Sequence, residues 1–527
     1  MHHNNRSRTE ILMQMKTMKI PKNILLLAAT LILCVSCLSE KPYGVYSNQT
    51  FFQTESDAEN GLMYAYVPIN YIEYCQRFLF YLGDTTTDEY NDYGKGMESD
   101  ALTWDISSNS EEVLYFFKSA YISLARTNTV IDNVLKMKNI PDQSRSRILG
   151  EAYFLRAFNH FMLVINFGSV PLRTKAVESV SETYEECAPL EDLYESIISD
   201  LKEAMGLLGY DKVQGRVDKA AAQALLGRVY LYLASFKESG RPEYAWVSDA
   251  EEMYAESAEY SSGLIYGQST YSLCDNLDDI YDVTKQASCP EHVFITSMNR
   301  EASGMEGTYS QLPCLWAIQL NDYIWIPEKL DGSSAKVIKM IDFTATWQVF
   351  RVDYRFRDSF PDGDLRKKLM VDTIYNEDGT VLASFDPSNI NSTDPTLNKF
   401  FFPFCRKYTD PYSKNSRCSS NVYLIRMGEV YLNYAEAAGP TEKGYECVNA
   451  VRKRAAMPPL EDGLSKDEFR EAVRLERTRE LCFEGHALYD LRRLGRVDSI
   501  RNRPVKQAYA YYFPLPQREL DLNPQNL

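Results

Sequence analysis

Leu149-Gly150-Glu151-Ala152-Tyr153-Phe154 runs on to Ala157, Leu226-Gly227-Arg228-Val229-Tyr230-Leu231 to Ala234, and Met427-Gly428-Glu429-Val430-Tyr431-Leu432 to Ala435. The three stretches share one form, Leu/Met-Gly-x-x-Tyr-Phe/Leu-x-x-Ala. In a helix the Leu, Tyr and Ala positions fall at i, i+4 and i+8 and so share a face, while the Gly lets a second helix approach closely. The same order of residues is part of the tetratricopeptide signature, an architecture of stacked helix pairs. The copies start 77 and 201 residues apart, not at a clean 34-residue period. The expected fold class is therefore all-α: a tetratricopeptide-like helical-repeat scaffold with large insertions.

Neighbouring segments fit that scaffold. A periodic run from Ser146 to Phe167 closes with Gly168 and Pro171, a helix stop. Leu190 to Leu208, Val217 to Phe236 and Ala250 to Tyr260 read as amphipathic helices. Lys466 to Gly495 reads as one long charged helix whose Glu471, Arg474, Glu476, Arg477, Arg479 and Glu480 lie on solvated or ion-paired faces. Between about Ser261 and Ser420 the helical period lapses into Gly, Pro, Asn, Asp and aromatics, with one strand-like run at Val293-Phe294-Ile295-Thr296. The expected organisation is thus a leader at 1–36, an N-terminal helical part at 37–260, an irregular ligand-face insert at 261–420 and a C-terminal helical part at 421–527 that completes the scaffold.

Composition limits the chemistry. The 527 residues carry 57 Lys+Arg against 73 Asp+Glu, a formal charge of −16, which argues against a broad phosphate-binding face. Only five His occur, and His2 and His3 lie in the leader. The sequence has no P-loop, H-E-x-x-H or G-x-S-x-G motif, and no His or Cys spacing that suits a metal. No cofactor and no metal are expected, and no catalytic residue is assigned. A carboxylate-only hydrolase would need a pair of acids. Asp84, Asp88, Glu89 and Asp92 are the one cluster considered, and they read better as a solvated loop. His486 reads as a packing or capping residue rather than a base.

The leader sets the compartment. Arg6, Arg8, Lys16, Lys19 and Lys22 precede an apolar run from Ile24 to Val35, too short to span a bilayer but suited to a signal peptide. It ends Cys34-Val35-Ser36-Cys37, which resembles a bacterial lipobox, with Cys34 where Leu is usual. Cys37 is the expected lipid anchor, and translation could start at Met1, Met15 or Met18. No later segment offers about 20 uninterrupted apolar residues, so the expected mature protein is anchored rather than spanning. Its nine remaining Cys are scattered and read mostly as small buried hydrophobes, with room for one bridge.

What remains for function is aromatic. Tyr and Trp combine a broad apolar face with a polar tip, which suits stacking on sugar rings or gripping peptides. Tyr90, Tyr93 and Trp104 lie in a polar, turn-rich stretch from Gly83 to Asp105, and Trp316, Tyr323 and Trp325 lie in the irregular insert. These six are the candidate ligand contacts, because binding residues concentrate on loops over a rigid scaffold. Tyr153, Tyr230 and Tyr431 of the repeats read as core.

Several longer stretches carry a family resemblance. They are Arg147-Ile148-Leu149-Gly150-Glu151-Ala152-Tyr153-Phe154-Leu155-Arg156-Ala157-Phe158 with Phe167-Gly168-Ser169-Val170-Pro171-Leu172, and the run from Lys219 to Tyr230. Further on come Leu424 to Ala437, Val448 to Ala455, Glu476 to His486, Tyr489-Asp490-Leu491-Arg492-Arg493 and Phe513-Pro514-Leu515-Pro516. Over nearly its whole mature length the chain resembles the SusD/RagB family of surface nutrient-binding lipoproteins, departing at Ala487, where an aromatic or Arg is usual. The resemblance implies a helix-pair scaffold with a ligand face of inserted loops. It implies a non-enzymatic protein of the cell outer membrane, lipid-anchored and surface-exposed. It also implies a partner, a SusC-like TonB-dependent transporter to which captured glycan or, in some members, peptide is delivered. The family motifs are scaffold motifs and leave the ligand open.

Overall fold

The computed structural model describes residues 51–91, 100–302, 307–501 and 504–523. Residues from Phe52 onward form one compact unit. Cys37, Tyr93 and Asp92 lie outside the described residues.

Eleven helices make the frame: α1 (Glu55–Tyr66), α2 (Arg77–Gly83), α3 (Glu111–Val134), α4 (Asp142–Phe167), α5 (Leu190–Leu207), α6 (Lys219–Glu238), α7 (Ala250–Tyr266), α8 (Met427–Ala438), α9 (Glu442–Arg454), α10 (Lys466–Leu481) and α11 (Ala487–Arg493). Five of these starts carry side-chain caps that satisfy free backbone N–H groups. Thr54 and Asp57 form a capping box on α1, Ser465 and Glu468 one on α10, and Asp218 and Asp249 cap α6 and α7. Sequential helices pack side by side: α1 on α3, α3 on α4, α4 on α5, α5 on α6, α6 on α7. The stacking then continues from α7 directly onto α8, although 160 residues separate them in sequence, and α8 packs on α9 and α10. The helical scaffold therefore ignores the insert, which is looped out between two consecutive layers, as helix-pair solenoids tolerate. α4 is long and apolar enough to cross a membrane by composition, but it is buried inside the protein.

The repeat glycines work as expected at two positions. A Cβ on Gly150 would lie 2.7 Å from Leu208, just past α5, and one on Gly227 would lie 2.7 Å from Ser261 of α7. At Gly428 the close neighbours are instead Arg426, Glu291 and Glu480, members of an ion-pair network. Tyr230 is buried and stacked on Tyr260, while Tyr153 and Tyr431 are half-buried.

The insert holds more strand than its sequence suggested: β1 (His292–Ile295), β2 (Trp325–Pro327), β3 (Val337–Lys339), β4 (Met370–Val371), β5 (Thr373–Tyr375), β6 (Val381–Ser384) and β7 (Phe404–Cys405), with β8 (Tyr423–Arg426) leading into α8. Antiparallel pairing of β1 with β8 closes the insert at its base, and β3-β2-β5-β6 form a four-stranded sheet.

The long helix expected from Lys466 to Gly495 is broken. α10 ends at Leu481, and Phe483 and Gly485 both take positive φ (62° and 82°) before α11 begins. At Gly485 a side chain would also strike Leu79, with a Cβ 2.6 Å from its Cγ. The break frees backbone N–H groups that buried acids of the N-terminal half accept. Gly485 N and Ala487 N donate to Asp84 at 2.8 and 3.2 Å, and Phe483 N donates to Glu89 at 3.3 Å.

Of the solvated and ion-paired alternatives for the charges flanking that break, Glu476, Arg477 and Glu480 take the ion-paired one and are buried. Arg426 contacts Glu291 and Glu480 at 2.7 Å and Glu484 at 2.8 Å, Arg366 contacts Glu476 at 2.6 Å, and Arg493 contacts Glu436 at 2.8 Å. Arg228 of α6 donates to Glu429 of α8 at 2.6 Å, tying the two sides of the insertion point together. Each carboxylate has charged partners, which is the condition for burying it.

Candidate functional site

The four-stranded sheet sorts its side chains by the two-residue period of strands. Ile326, Ile374 and Ala383 are buried on the core face. The opposite face carries Trp325 and Pro327 from β2, Val337 and Lys339 from β3, Thr373 and Tyr375 from β5, and, across a register shift in the β5–β6 pair that interrupts the period, Val381 from β6. The register pairs Trp325 with both Lys339 and Tyr375, Pro327 with Val337, and Tyr375 with Val381. Directly paired residues on one face touch across strands, so Trp325, Tyr375 and Val381 make an aromatic and apolar row bordered by Lys339. None of these residues is fully buried, and Val381 is 59% exposed.

Tyr323, 37% exposed, lies just before β2. Lys339 Nζ sits 3.9 Å from the centre of its ring and 5.6 Å from that of Trp325. The same ammonium donates to Asp342 at 2.7 Å, which raises its pKa and keeps it charged. Tyr323 and Trp325 are thus brought together around one cation, which fixes ring orientation while leaving ring surface open. The positive φ of Asn321 (60°) turns the chain into this site.

The other candidates sit elsewhere. Trp104 is 2% exposed; its indole donates to the Thr86 carbonyl at 2.8 Å and its ring lies against Phe513. Tyr90 and Trp316 are fully buried, with ring centres 5.6 Å apart, in a cluster with Phe350 and Phe483. These three are core residues that present no surface to a ligand. The polar stretch that made Tyr90 and Trp104 look exposed is satisfied internally: Thr85, Thr86 and Thr87 hydroxyls donate to the carbonyls of Tyr81, Leu82 and Asp84. Trp347, 40% exposed, was missed. Its loop runs beside Ala317 to Gln319 through bonds from Gln348 N to Ala317 O and from Thr346 Oγ1 to Ile318 O. The available signal was its place in the turn-rich insert that also holds Tyr323 and Trp325.

The acidic cluster does not behave as a solvated loop. Asp84 and Glu89 are buried, and burial pushes the Asp84 carboxyl up to about 7 and Glu89 well above its usual range. Both carboxylates are spent on backbone amides, as described above, and Asp88 accepts from Arg501 N at 2.9 Å. His486 is buried, and burial lowers its pKa to about 4. It occupies the N-cap position of α11 without a side-chain capping bond. Among the described residues no group of His, Cys, Asp and Glu is arranged to hold a metal.

Two sequence profiles match this chain. That of the SusD family matches residues 370–526, and that described as "Starch-binding associating with outer membrane" matches residues 38–231. The chain belongs to the SusD family. Among curated relatives, SusD-like protein P2 of Formosa agariphila is 26% identical, covering 97% of this chain and 98% of its own length. Among solved structures, a laminarin-binding SusD-like protein superposes with a TM-score of 0.70 at 22% identity, over 90% of this chain and 98% of that one. Surface glycan-binding protein A from Bacteroides thetaiotaomicron, in complex with laminarihexaose, gives a TM-score of 0.68 at 19% identity, over 90% and 99%. At these identities the structural likeness speaks for the SusD fold. The two profiles leave residues 232–369 uncovered, so Tyr323, Trp325 and Lys339 lie between them, while Tyr375 and Val381 fall within the SusD-family match.

Proposed function

We propose that the protein is a non-catalytic, outer-membrane lipoprotein that captures oligosaccharide or polysaccharide on the β3-β2-β5-β6 face and delivers it to a SusC-like TonB-dependent transporter. The observation that carries this reading is the open face itself, with Trp325 and Tyr375 side by side and Tyr323 held against Lys339. Such a face stacks on the apolar faces of sugar rings, while Lys339, Asp342 and the tyrosine hydroxyls bond to their rims. Membership of the SusD family supports it, as do the outer-membrane description of the N-terminal profile and structural neighbours that themselves bind laminarin or hold laminarihexaose. The lipobox-like Cys37 supports lipid anchoring at the cell surface.

Calorimetric titration of the mature chain with a panel of glycan oligomers, and with a mixed peptide library as the second arm, tests the ligand class. Binding to at least one glycan, lost with Trp325→Ala, is the expected result. Peptide binding without any glycan binding would replace glycan by peptide as the cargo. Co-purification of a TonB-dependent transporter from detergent-solubilised outer membranes tests the partner.

A further inference from the structure

The largest cavity at this sheet, about 610 Å³, opens beside the aromatic row. Pro327, Val337, Thr373 and Tyr375 line it, and they belong to the sheet face that carries Trp325 and Lys339. Trp325 and Pro327 are two residues apart on one strand, about 7 Å. A chain of sugars lying on Trp325 therefore reaches the cavity without leaving the face.

The charge of that cavity opposes the charge of the protein. In a chain of formal charge −16, its lining includes Lys329, Lys336, Lys367, Lys368 and Arg406. Three carboxylates also line it, and two are committed: Asp364 to the buried Arg366 at 2.8 Å and Asp372 to Arg357 at 3.4 Å. Among the described residues none of the four lysines makes an ion pair. Lys368 lies near enough to Asp331, and Lys329 to Asp278, to help ionise those acids.

Arg406 is the decisive member. It is only 8% exposed, yet no carboxylate among the described residues lies within ion-pair distance of it. Its one hydrogen bond, to the Glu328 carbonyl, is long at 3.4 Å. Burial lowers its pKa to about 10 against the pull of Asp278, so it remains charged at neutral pH. A buried guanidinium offers five donors in a planar fork that matches carboxylate or sulfate oxygens, and it is costly to keep without such a partner. It also lines a second cavity, of about 180 Å³, beside the first.

We infer that this cavity is an anion subsite, which takes a sulfate ester or a uronate carboxylate carried by the glycan on the aromatic row, between Arg406 and the four lysines. The inference rests on the glycan reading of that face and names the class of glycan: acidic.

The test is titration of the mature protein with three oligosaccharide probes: sulfated carrageenan oligomers, oligogalacturonates and neutral laminarihexaose. At low salt at least one acidic probe binds about tenfold or more tighter than the neutral one, and that preference collapses as screening rises toward 0.5 M NaCl. The double variant Lys367→Ala/Lys368→Ala, whose side chains reach solvent and whose folding is checked by melting temperature, loses the preference; Arg406→Lys, which keeps the charge but not the fork, reduces it. The carrageenan and galacturonate arms distinguish sulfate from carboxylate. Equal affinity for acidic and neutral probes, or a preference untouched by both variants, overturns the anion subsite while leaving glycan capture standing. Absence of binding to all three probes and to the wider glycan panel overturns both.

Discussion

Trp325 and Tyr375 are direct cross-strand partners in the β2–β5 pair, on the face of the insert sheet turned away from the core. Their neighbours beneath, Ile326 and Ile374, are fully buried, so the platform is rigid while its upper surface stays open. Each ring can therefore be removed without opening the core, which separates binding from stability.

That separation gives the first prediction. Trp325→Ala and Tyr323→Ala weaken glycan binding by an expected ~1–3 kcal/mol, about what a single stacked aromatic contributes, and leave the unfolding free energy within about 0.5 kcal/mol of wild type. Trp104→Ala does the reverse: loss of a buried indole and of its bond to Thr86 costs about 3–5 kcal/mol. Urea denaturation and calorimetry on the same preparations read both.

The buried ion pairs give a second. Arg426→Ala removes the cation shared by Glu291, Glu480 and Glu484, leaving Arg454, Arg366 and Lys407 as their remaining partners, and removing one partner of a buried pair costs up to about 3–5 kcal/mol. Replacing the exposed, one-to-one partner in Lys414→Ala costs less than about 1 kcal/mol. Chemical denaturation of the two variants checks the contrast.

The pH dependence follows from two opposed sets of acids. Burial works to raise the carboxyl of Glu436, but Arg493 and Arg474 outweigh it and hold it at about 2; Glu429 and Glu480 are likewise held well below their usual range by Arg228 and Arg454 against the same burial. A depressed folded-state value means stability that is present above about 4.5, the unfolded value, and lost as pH falls toward 2. Asp84 is the opposite case: burial raises it to about 7, so its contribution is full below about 4, the unfolded value, and lost as pH rises through 7. Melting temperature is therefore expected to drop steeply below pH 4 and, from the Asp84 contribution, to decline gently from about pH 4 to about pH 7. Asp84→Asn lessens the gentle decline, to which buried Glu89 also contributes, and keeps the acid drop.

Cys274 and Cys289 have sulfurs 3.2 Å apart in the insert, and both are free and buried. Mild oxidation is expected to close the Cys274–Cys289 bridge, seen by mass spectrometry as a loss of two hydrogen atoms in the linked Cys274 and Cys289 peptides. Closing a loop of this length raises stability by about 3 kcal/mol in the chain-entropy account. Cys274→Ser abolishes both effects.

The scaffold was legible where periodicity and close packing agree. The Gly-x-x-Tyr motif predicts helices around residues 149, 226 and 427, and α4, α6 and α8 are there, with Gly150 and Gly227 at real helix approaches. The break at Phe483 was not legible, because Arg479-Glu480-Leu481-Cys482 continues a helical pattern and the reason to stop lies almost 400 residues away, at Asp84 and Glu89. The same distance hid which side of the solvated-or-ion-paired reading holds for Glu476, Arg477 and Glu480: Arg366 and Arg426 fold against the two acids, and Glu429 and Asp490 against Arg477. Of the face proposed to hold ligand, Tyr323 and Trp325 were singled out from their polar, turn-rich surroundings. That rule failed at Tyr90 and Trp104, where threonine hydroxyls bond back to their own helix. Strands of three residues such as Trp325-Ile326-Pro327 are too short for alternation to be read, so Tyr375, Val381 and Lys339 had no signal in sequence.

The most direct measurement is calorimetric titration of wild-type and Trp325→Ala mature protein against the tightest-binding glycan of the panel. The account predicts a saturable isotherm for wild type and an affinity at least about tenfold lower for the variant, at an unchanged melting temperature. Equal affinity in the two proteins would contradict it, and would place the ligand somewhere other than the β3-β2-β5-β6 face.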